Sequence, residues 1–427
     1  MKNKYDVIIA GGGTAGVSCA WNLGKRGIKT LLIEKNSFLG GSITSSLVIP
    51  AMKTSDNAIN TDFFNELYKY LEKIGGAVTY IDGNKGWFNP ELTKIALDYL
   101  MQNANVDILY ESNITNIKKT KNKKLLVYID SIDNDNTSCL TNEILLAPIE
   151  TMYIVDATGD AKICKKLNCK FLENSKNFSQ PMSLRFIMSG VDVKEFSEWI
   201  MEFDKDRDVT TSCVIDSKHY LSTAYTWDSC KKWALKPLFE RAIADKILTE
   251  EDSNYFQLFL VAGTTDSIAF NAPRLIKEYK NTSKAYIEGR FSILRLSDFC
   301  KKYLPGFKNA HISNIANSLG VRVSNQVKGK YIYSYEDLIT GKTFNNPVLI
   351  SNYPVDIHSD KKNTSTLEKV NIEYQLPLES LMVEDYENVF VIGRCISADF
   401  KAQAALRIIP SCFSMGEGLA KYLSKNC

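Results

Sequence analysis

The stretch "YDVIIAGGGTAGVSCAWNLGKRG" (residues 5–27) constrains this chain more than any other part of it. "YDVIIA" is a continuous apolar run, the pattern of a strand buried on both faces of a parallel sheet. Gly11, Gly13 and Gly16 follow at once in G-x-G-x-x-G spacing, and a helix-like segment follows them. At such spacing Gly11 makes the tight turn, Gly13 lets a diphosphate approach bare backbone, and Gly16 lets the helix lie close on the strand. Ala20 and Gly27 keep the sheet-facing side of that helix small. Its start, at Thr14 and Ala15, offers free N–H groups and the positive end of the helix dipole to an anion.

A second apolar run, "IKTLLIEK", ends in Glu34 and Lys35. An acidic side chain at this point accepts hydrogen bonds from the ribose hydroxyls of an adenosine, and it repels a 2′-phosphate. A glycine-rich turn with no ligand needs none of these accompanying pieces. Together they predict an α/β, Rossmann-like unit holding a dinucleotide.

Three later stretches choose between FAD and NAD. "KNSFLGGSITSSLV" places Gly40 and Gly41, then Ser42, Thr44, Ser45 and Ser46, just past the second strand. In flavoproteins of the glutathione-reductase structural type such a loop runs along the ribityl chain. "MYIVDATGDA" is a strand entering a turn at Ala157, Thr158 and Gly159, close to where the phosphates lie. "ENVFVIGRCIS" ends a late strand in Gly393 and Arg394, and "ALRIIPSCFSMGEGLAKYLSK" then brings Arg407, Ile408 and Pro410 to the start of a helix. In flavoproteins of that structural type such a helix points its positive end at flavin N1 and the C2 carbonyl, where a reduced anionic flavin carries its charge. The order of the three predicts FAD.

With those residues in place, the chain resembles the bacterial FAD-dependent oxidoreductase family related to the glutathione-reductase-type flavoproteins. The blocks "IIAGGGTAGVSCA", "LLIEKNSFLGGSITSSLV", "VDATGDA", "SQPMSLRF", "YIEGR", "YLPGFKNA", "LGVRVSNQVKGKYIYSYEDL", "YPVDIHSD", "YQLPLESL" and "VFVIGRCISADFKAQAALRIIPSCFSMGEG" carry the likeness almost end to end. The resemblance implies FAD held by the opening loop, by Glu34 beside Lys35, by the Gly41–Ser42–Thr44 loop and by the Gly393–Pro410 segment. Ile114 lies where such proteins touch adenine through backbone. One block departs: where the family reads Arg-Glu-Ser-Arg-Arg, this chain has Arg322, Val323, Ser324, Asn325 and Gln326. The loss of one acid and two bases marks a specialised member.

FAD brings the reactivity, and protein groups position the substrate. The expected function is transfer of a hydride or electron pair between a small organic molecule and flavin N5. Oxygen activation in a flavin monooxygenase, or a purely structural FAD, are the other readings. Among only three histidines, His358 is a candidate proton donor or flavin contact, with a structural hydrogen-bonded role as its alternative. Arg322 and Arg407 would bind an acidic substrate group, steady the flavin's pyrimidine edge, or make ordinary salt bridges. Asn271 and Arg274, in "FNAPRLI", resemble a family block on the substrate side. Tyr331, Tyr333 and Tyr335 alternate as along a strand and read as packing. No cysteine stands in "GGSITSSLV", so Cys164 and Cys169 do not form the redox pair of a disulfide reductase. No second G-x-G-x-x-G follows a later strand, so the substrate itself reduces the flavin, or NAD(P)H or an electron-transfer partner docks transiently. G-x-S-x-G, H-E-x-x-H and G-x-x-x-x-G-K are missing, which removes hydrolase and kinase readings, and no metal is expected.

The 427 residues suffice for two domains. Residues 1–170 plus 366–427 are expected to form a discontinuous FAD-binding domain, and 171–365 an α+β substrate or cap domain. Lys and Arg total 52 against 49 acids, which gives no reason for a nucleic-acid partner. "KKTKNKK" (118–124) reads as a solvated hairpin tip. No apolar run approaches the about 18 residues that cross a bilayer. Ten cysteines without CxxC pairs read as reduced thiols of a cytoplasmic protein.

Overall fold

The computed structural model describes residues 2–131, 148–173, 180–226, 233–275, 282–358 and 366–427. A mixed sheet forms around β1 (Lys4–Ala10), which runs into α1 (Thr14–Lys25) and then β2 (Thr30–Ile33). β2 pairs parallel with β1 on one edge and with Asp107–Leu109 on its other edge. Val7, Ile8 and Ile9 are all fully buried. Val7 and Ile9 face the core shared with α1, while Ile8 and Ala10 face a second core under the meander. That two-sided burial is why the opening run has no polar alternation.

The strand Ile149–Asp156 joins distant parts of the chain. One edge pairs parallel with β1 along its length. The other edge is divided: Ile149–Thr151 pair antiparallel with Leu125–Val127, and Ile154–Asp156 pair parallel with the late strand Val389–Val391. The C-terminal segment thereby enters the sheet beside the turn at Ala157–Gly159.

The run "VDILYESNITNIKK" divides as well. Asp107–Leu109 stays in the parallel sheet, whereas Ser112–Lys119 pairs antiparallel with Leu125–Ser131. Between them Glu111 has φ 47°, and Glu111 and Ser112 donate to the Asn36 and Glu34 carbonyls. This left-handed step lets the chain cross the end of β2 and leave the parallel sheet. "KKTKNKK" does form the hairpin connection, closed by Thr120 N–H to the Lys124 carbonyl at 2.8 Å. Of "EILLAPIETMYIVDA", Ile149–Asp156 is strand and residues 143–147 lie outside the described residues.

A second, wholly antiparallel sheet takes the strands in the order Thr210–Ile215, Lys218–Thr226, Tyr255–Leu260, Ile268–Phe270, Phe186–Ser189, His311–Ile315. Its core is aromatic: Phe186 stacks on Phe270 at 4.4 Å between ring centres, and Phe299 of the helix Thr282–Tyr303 packs on Phe239 and Phe256. "CKKWALKPLFERAIADK" yields the helix Lys236–Ala244; its residues 230–232 are outside the described set.

The alternating tyrosines do not form a strand. Tyr333 makes a single bridge to Ala398, and Tyr335 begins the helix Tyr335–Ile339. Ser334 and Asp337 form a reciprocal capping box, and Asp337 also accepts from the Tyr331 hydroxyl. Local capping outweighs the period-two pattern here. The eight described cysteines are all free thiols; Cys139 and Cys230 fall outside the described residues. Among the described residues no helix is long and apolar enough to cross a membrane.

Candidate functional site

Three of the glycines are packed shut against protein, and one is not. A Cβ on Gly16 would sit 2.0 Å from the Gly11 carbonyl oxygen, and one on Gly11 would sit 2.6 Å from that of Ala157. One on Gly41 would meet Gly13 Cα at 2.8 Å. A Cβ on Gly13 would find nothing nearer than 4.0 Å. The space before Gly13 is therefore left free, at the start of α1, where no side chain caps the helix.

Around that space the predicted loops converge. Gly40 N–H donates to the Gly12 carbonyl at 2.8 Å, and the hydroxyls of Thr14 and Ser42 lie 3.3 Å apart. Thr44 instead turns back to the Leu39 carbonyl and is buried. Glu34 is 5% exposed; one carboxylate oxygen accepts from Gly12 N–H at 2.7 Å, and the other from the backbone and side chain of Asn36. A carboxylate offers about four acceptor positions, so one remains for a hydroxyl. Lys35 is exposed, and the Ile114 side chain packs in the core under the meander.

The turn after Ile149–Asp156 is built on buried Asp156. One of its oxygens takes the backbone and hydroxyl of Thr158, and the other takes the N–H groups of Ile163 and Cys164. Burial raises the Asp156 pKa, and these hydrogen bonds oppose the rise. Arg394 spends all three nitrogens inside the protein, on the Gly159 carbonyl, Asp160 and the Val321 carbonyl. It braces the turn and the 321–324 segment against the late strand, and Ser324 adds a bond to the Gly159 carbonyl. Gly393 stands 3.6 Å, by its Cβ position, from Ala15.

The predicted C-terminal helix spans Ile409–Leu423, with Pro410 in its first turn and no side-chain cap. Gly416 lets it press on α1, where a Cβ would lie 2.3 Å from the Ala15 carbonyl oxygen, and Ser18 donates to the Phe413 carbonyl. Two uncapped helix starts thus belong to one packed pair. An open glycine face at an uncapped helix start, with an oriented carboxylate beside it, fits a dinucleotide diphosphate and its ribose. The buried start at Ile408–Ser411 fits the electron-rich edge of a flavin.

Beyond that helix start lies a group of charged side chains. Arg407 donates to the Asp356 carbonyl at 2.9 Å and lies 3.4 Å from its carboxylate, which also sits 3.2 Å from His358 Nε2. His358 N–H donates to Gln180, and its ring meets Tyr255 edge-on at 5.9 Å. The Arg274 guanidinium lies on Tyr255, 3.7 Å from the ring centre. Tyr255 and Asn271 both donate to Gln257. Arg322 donates to the Pro181 carbonyl, and Arg185 to those of Leu47 and Ile49. Burial works against the Asp356 carboxylate, but His358, Arg407 and Arg322 outweigh it and hold its pKa below the usual carboxylate range. Burial, then Arg274 and Arg322, push the His358 pKa well below 6.5, so the ring is neutral at neutral pH.

His358, Arg322, Arg407, Asn271 and Arg274 are thus brought into one neighbourhood with Arg185, Asp356 and Tyr255, which the motifs did not single out. Arg185 stands in "SQPMSLRF" and Asp356 in "YPVDIHSD", so a basic or acidic residue inside an apolar block was the available signal. His219 and His311 sit on strands of the antiparallel sheet.

Comparison with known proteins places the chain. A profile of the FAD dependent oxidoreductase family matches residues 6–422, and the chain belongs to that family. It is 31% identical over 87 residues to digeranylgeranylglycerophospholipid reductase of Methanococcus vannielii, a match covering 20% of this chain and 22% of the relative. It is 21% identical over 286 residues to ferredoxin–NADP reductase of Mycoplasmoides gallisepticum, covering 59% of this chain and 81% of that one. A geranylgeranyl bacteriochlorophyll reductase-like protein of Thermoplasma acidophilum superposes with a TM-score of 0.42 at 14% identity, over 99% of this chain and 78% of the other.

Proposed function

Within that family, we propose that the chain moves a hydride or electron pair between a small organic molecule and FAD, bound in the glutathione-reductase-type manner. The diphosphate would lie before Gly13, the ribose hydroxyl on Glu34, and the pyrimidine edge at the start of the helix Ile409–Leu423. The open face at Gly13, beside Gly11, Gly16 and Gly41, which are sealed by protein, is the observation that carries this placement. FAD supplies a two-electron acceptor and donor at N5. The chain's part is to hold the substrate beside it and to manage the accompanying proton.

His358 is the group for that proton. Its Nε2 side faces the Asp356 carboxylate, which fixes the tautomer with hydrogen on Nε2 and leaves Nδ1 as the acceptor. Arg322 and Arg407 bring positive charge to the same place. The two sheets support a division into an FAD-binding domain (1–170 plus 366–427) and a substrate domain (171–365), and reduced thiols fit a cytoplasmic location. NAD(P)H or a carrier protein would serve as the transient electron partner.

The test is anaerobic. Purified protein should be yellow, and its colour should bleach with a chemical reductant and with at least one member of a panel of small acids and amines. Protein that stays colourless and takes up no added FAD ends this reading.

A further inference from the structure

The neighbourhood around His358 holds more positive charge than its protein partners balance. Ser183 pairs with both Arg274 and Gly320, which sets the segments bearing Arg185, Arg274 and Arg322 side by side. Arg185, Arg274 and Arg322 are 9%, 6% and 8% exposed. Among the described residues, Asp356 is the carboxylate that pairs with this group, through Arg407. Among the described residues, none of the three Arg274 guanidinium nitrogens has a hydrogen-bond partner, nor has Nε of Arg185 or of Arg407.

A guanidinium keeps its proton even when buried, so these groups carry their charge at neutral pH. Burying such a group without an acceptor is costly, and stacking on Tyr255 satisfies one face of Arg274 but none of its N–H groups. Its fixed fork of donors matches the two oxygens of a carboxylate. The cofactor does not account for the excess. The charges of FAD are in its diphosphate, which the glycine loop accommodates; the isoalloxazine is uncharged when oxidised and brings a single negative charge when reduced, against four arginines.

We propose that the substrate is a small organic acid, with one carboxylate forked on Arg274 and a second anionic group facing Arg185 and Arg322. This rests on the reading of the chain as a flavin enzyme for a small molecule and names the class of that molecule.

The test uses the FAD-loaded protein at constant ionic strength. Succinate, propionate, propionamide and inorganic phosphate are titrated while the visible flavin spectrum and the melting temperature are followed. Succinate should perturb both, propionate should bind about tenfold or more weakly, and propionamide should do nothing. Arg274→Met should weaken succinate about ten- to a hundredfold while FAD content stays unchanged. Propionamide matching propionate, phosphate matching succinate, or no response to either acid would each overturn the assignment, even in protein whose flavin is reducible. FAD lost from Arg274→Met with succinate affinity intact in what remains would show that Arg274 serves the cofactor instead. If that variant does not fold, the wild-type series alone decides. Colourless protein that takes up no added FAD would remove the flavin reading on which this proposal rests, whereas a failed acid series in FAD-loaded protein would overturn this proposal alone.

Discussion

Arg394 Nε donates to the Gly159 carbonyl at 2.8 Å, joining the last strand of the mixed sheet to the turn that closes its central one. The same side chain reaches Asp160 and the Val321 carbonyl, so one residue holds three distant segments together. Arg394→Ala should cost about 2–3 kcal/mol, because hydrogen bonds from a charged donor are lost and carbonyls are left short of partners. Thermal unfolding of the apoprotein measures this. Arg394→Lys, with one point charge in place of a fork, should recover only part.

Gly13 and Gly16 should respond oppositely to alanine. Gly13→Ala meets no protein atom nearer than 4.0 Å and keeps an ordinary φ of −74°, so the apoprotein should melt within about 1 °C of wild type while FAD binding falls. Gly16→Ala drives a Cβ to 2.0 Å from the Gly11 carbonyl oxygen and should destabilise the apoprotein by about 1–3 kcal/mol or more. Equal loss of apoprotein stability in both would refute an open Gly13 face.

Glu34→Gln keeps the shape of a side chain that accepts from Gly12 and Asn36 but removes its charge. FAD affinity should fall about tenfold, the difference between a charged and a neutral acceptor. Equilibrium dialysis of FAD against both proteins reads this directly.

His358 gives a pH dependence with a definite sign. Its folded pKa lies well below 6.5 through burial and the nearby Arg274 and Arg322, so below pH 6.5 the unfolded chain binds the extra proton. Stability is fully present above pH 6.5 and is lost as pH falls toward the folded value. His358→Gln should flatten the decline in melting temperature between about pH 7 and about pH 5. A mutant curve parallel to wild type over that range would contradict a neutral buried His358.

The convergence of the glycine loop and Glu34 was legible in the sequence because it is local. Gly11, Gly13 and Gly16 lie within six residues, and Glu34 ends the very next strand, so one strand–turn–helix–strand unit brings them together whatever the rest does. The arginine cluster was only partly legible. Arg185, Arg274, Arg322 and Arg407 come from separate blocks, and nothing in one-dimensional spacing shows that Ser183 pairs with both Arg274 and Gly320. The tyrosines at 331, 333 and 335 failed as a strand because a four-residue capping box decided their conformation first.

The amino-acid sequence by itself pointed to the dinucleotide unit through one local strand–turn–helix–strand stretch, and to FAD and the family through blocks spread along the chain. Tertiary structure alone decided which buried charges meet and which lack partners. Electrostatic balance depends on distance in space, and only the packed sheets set those distances.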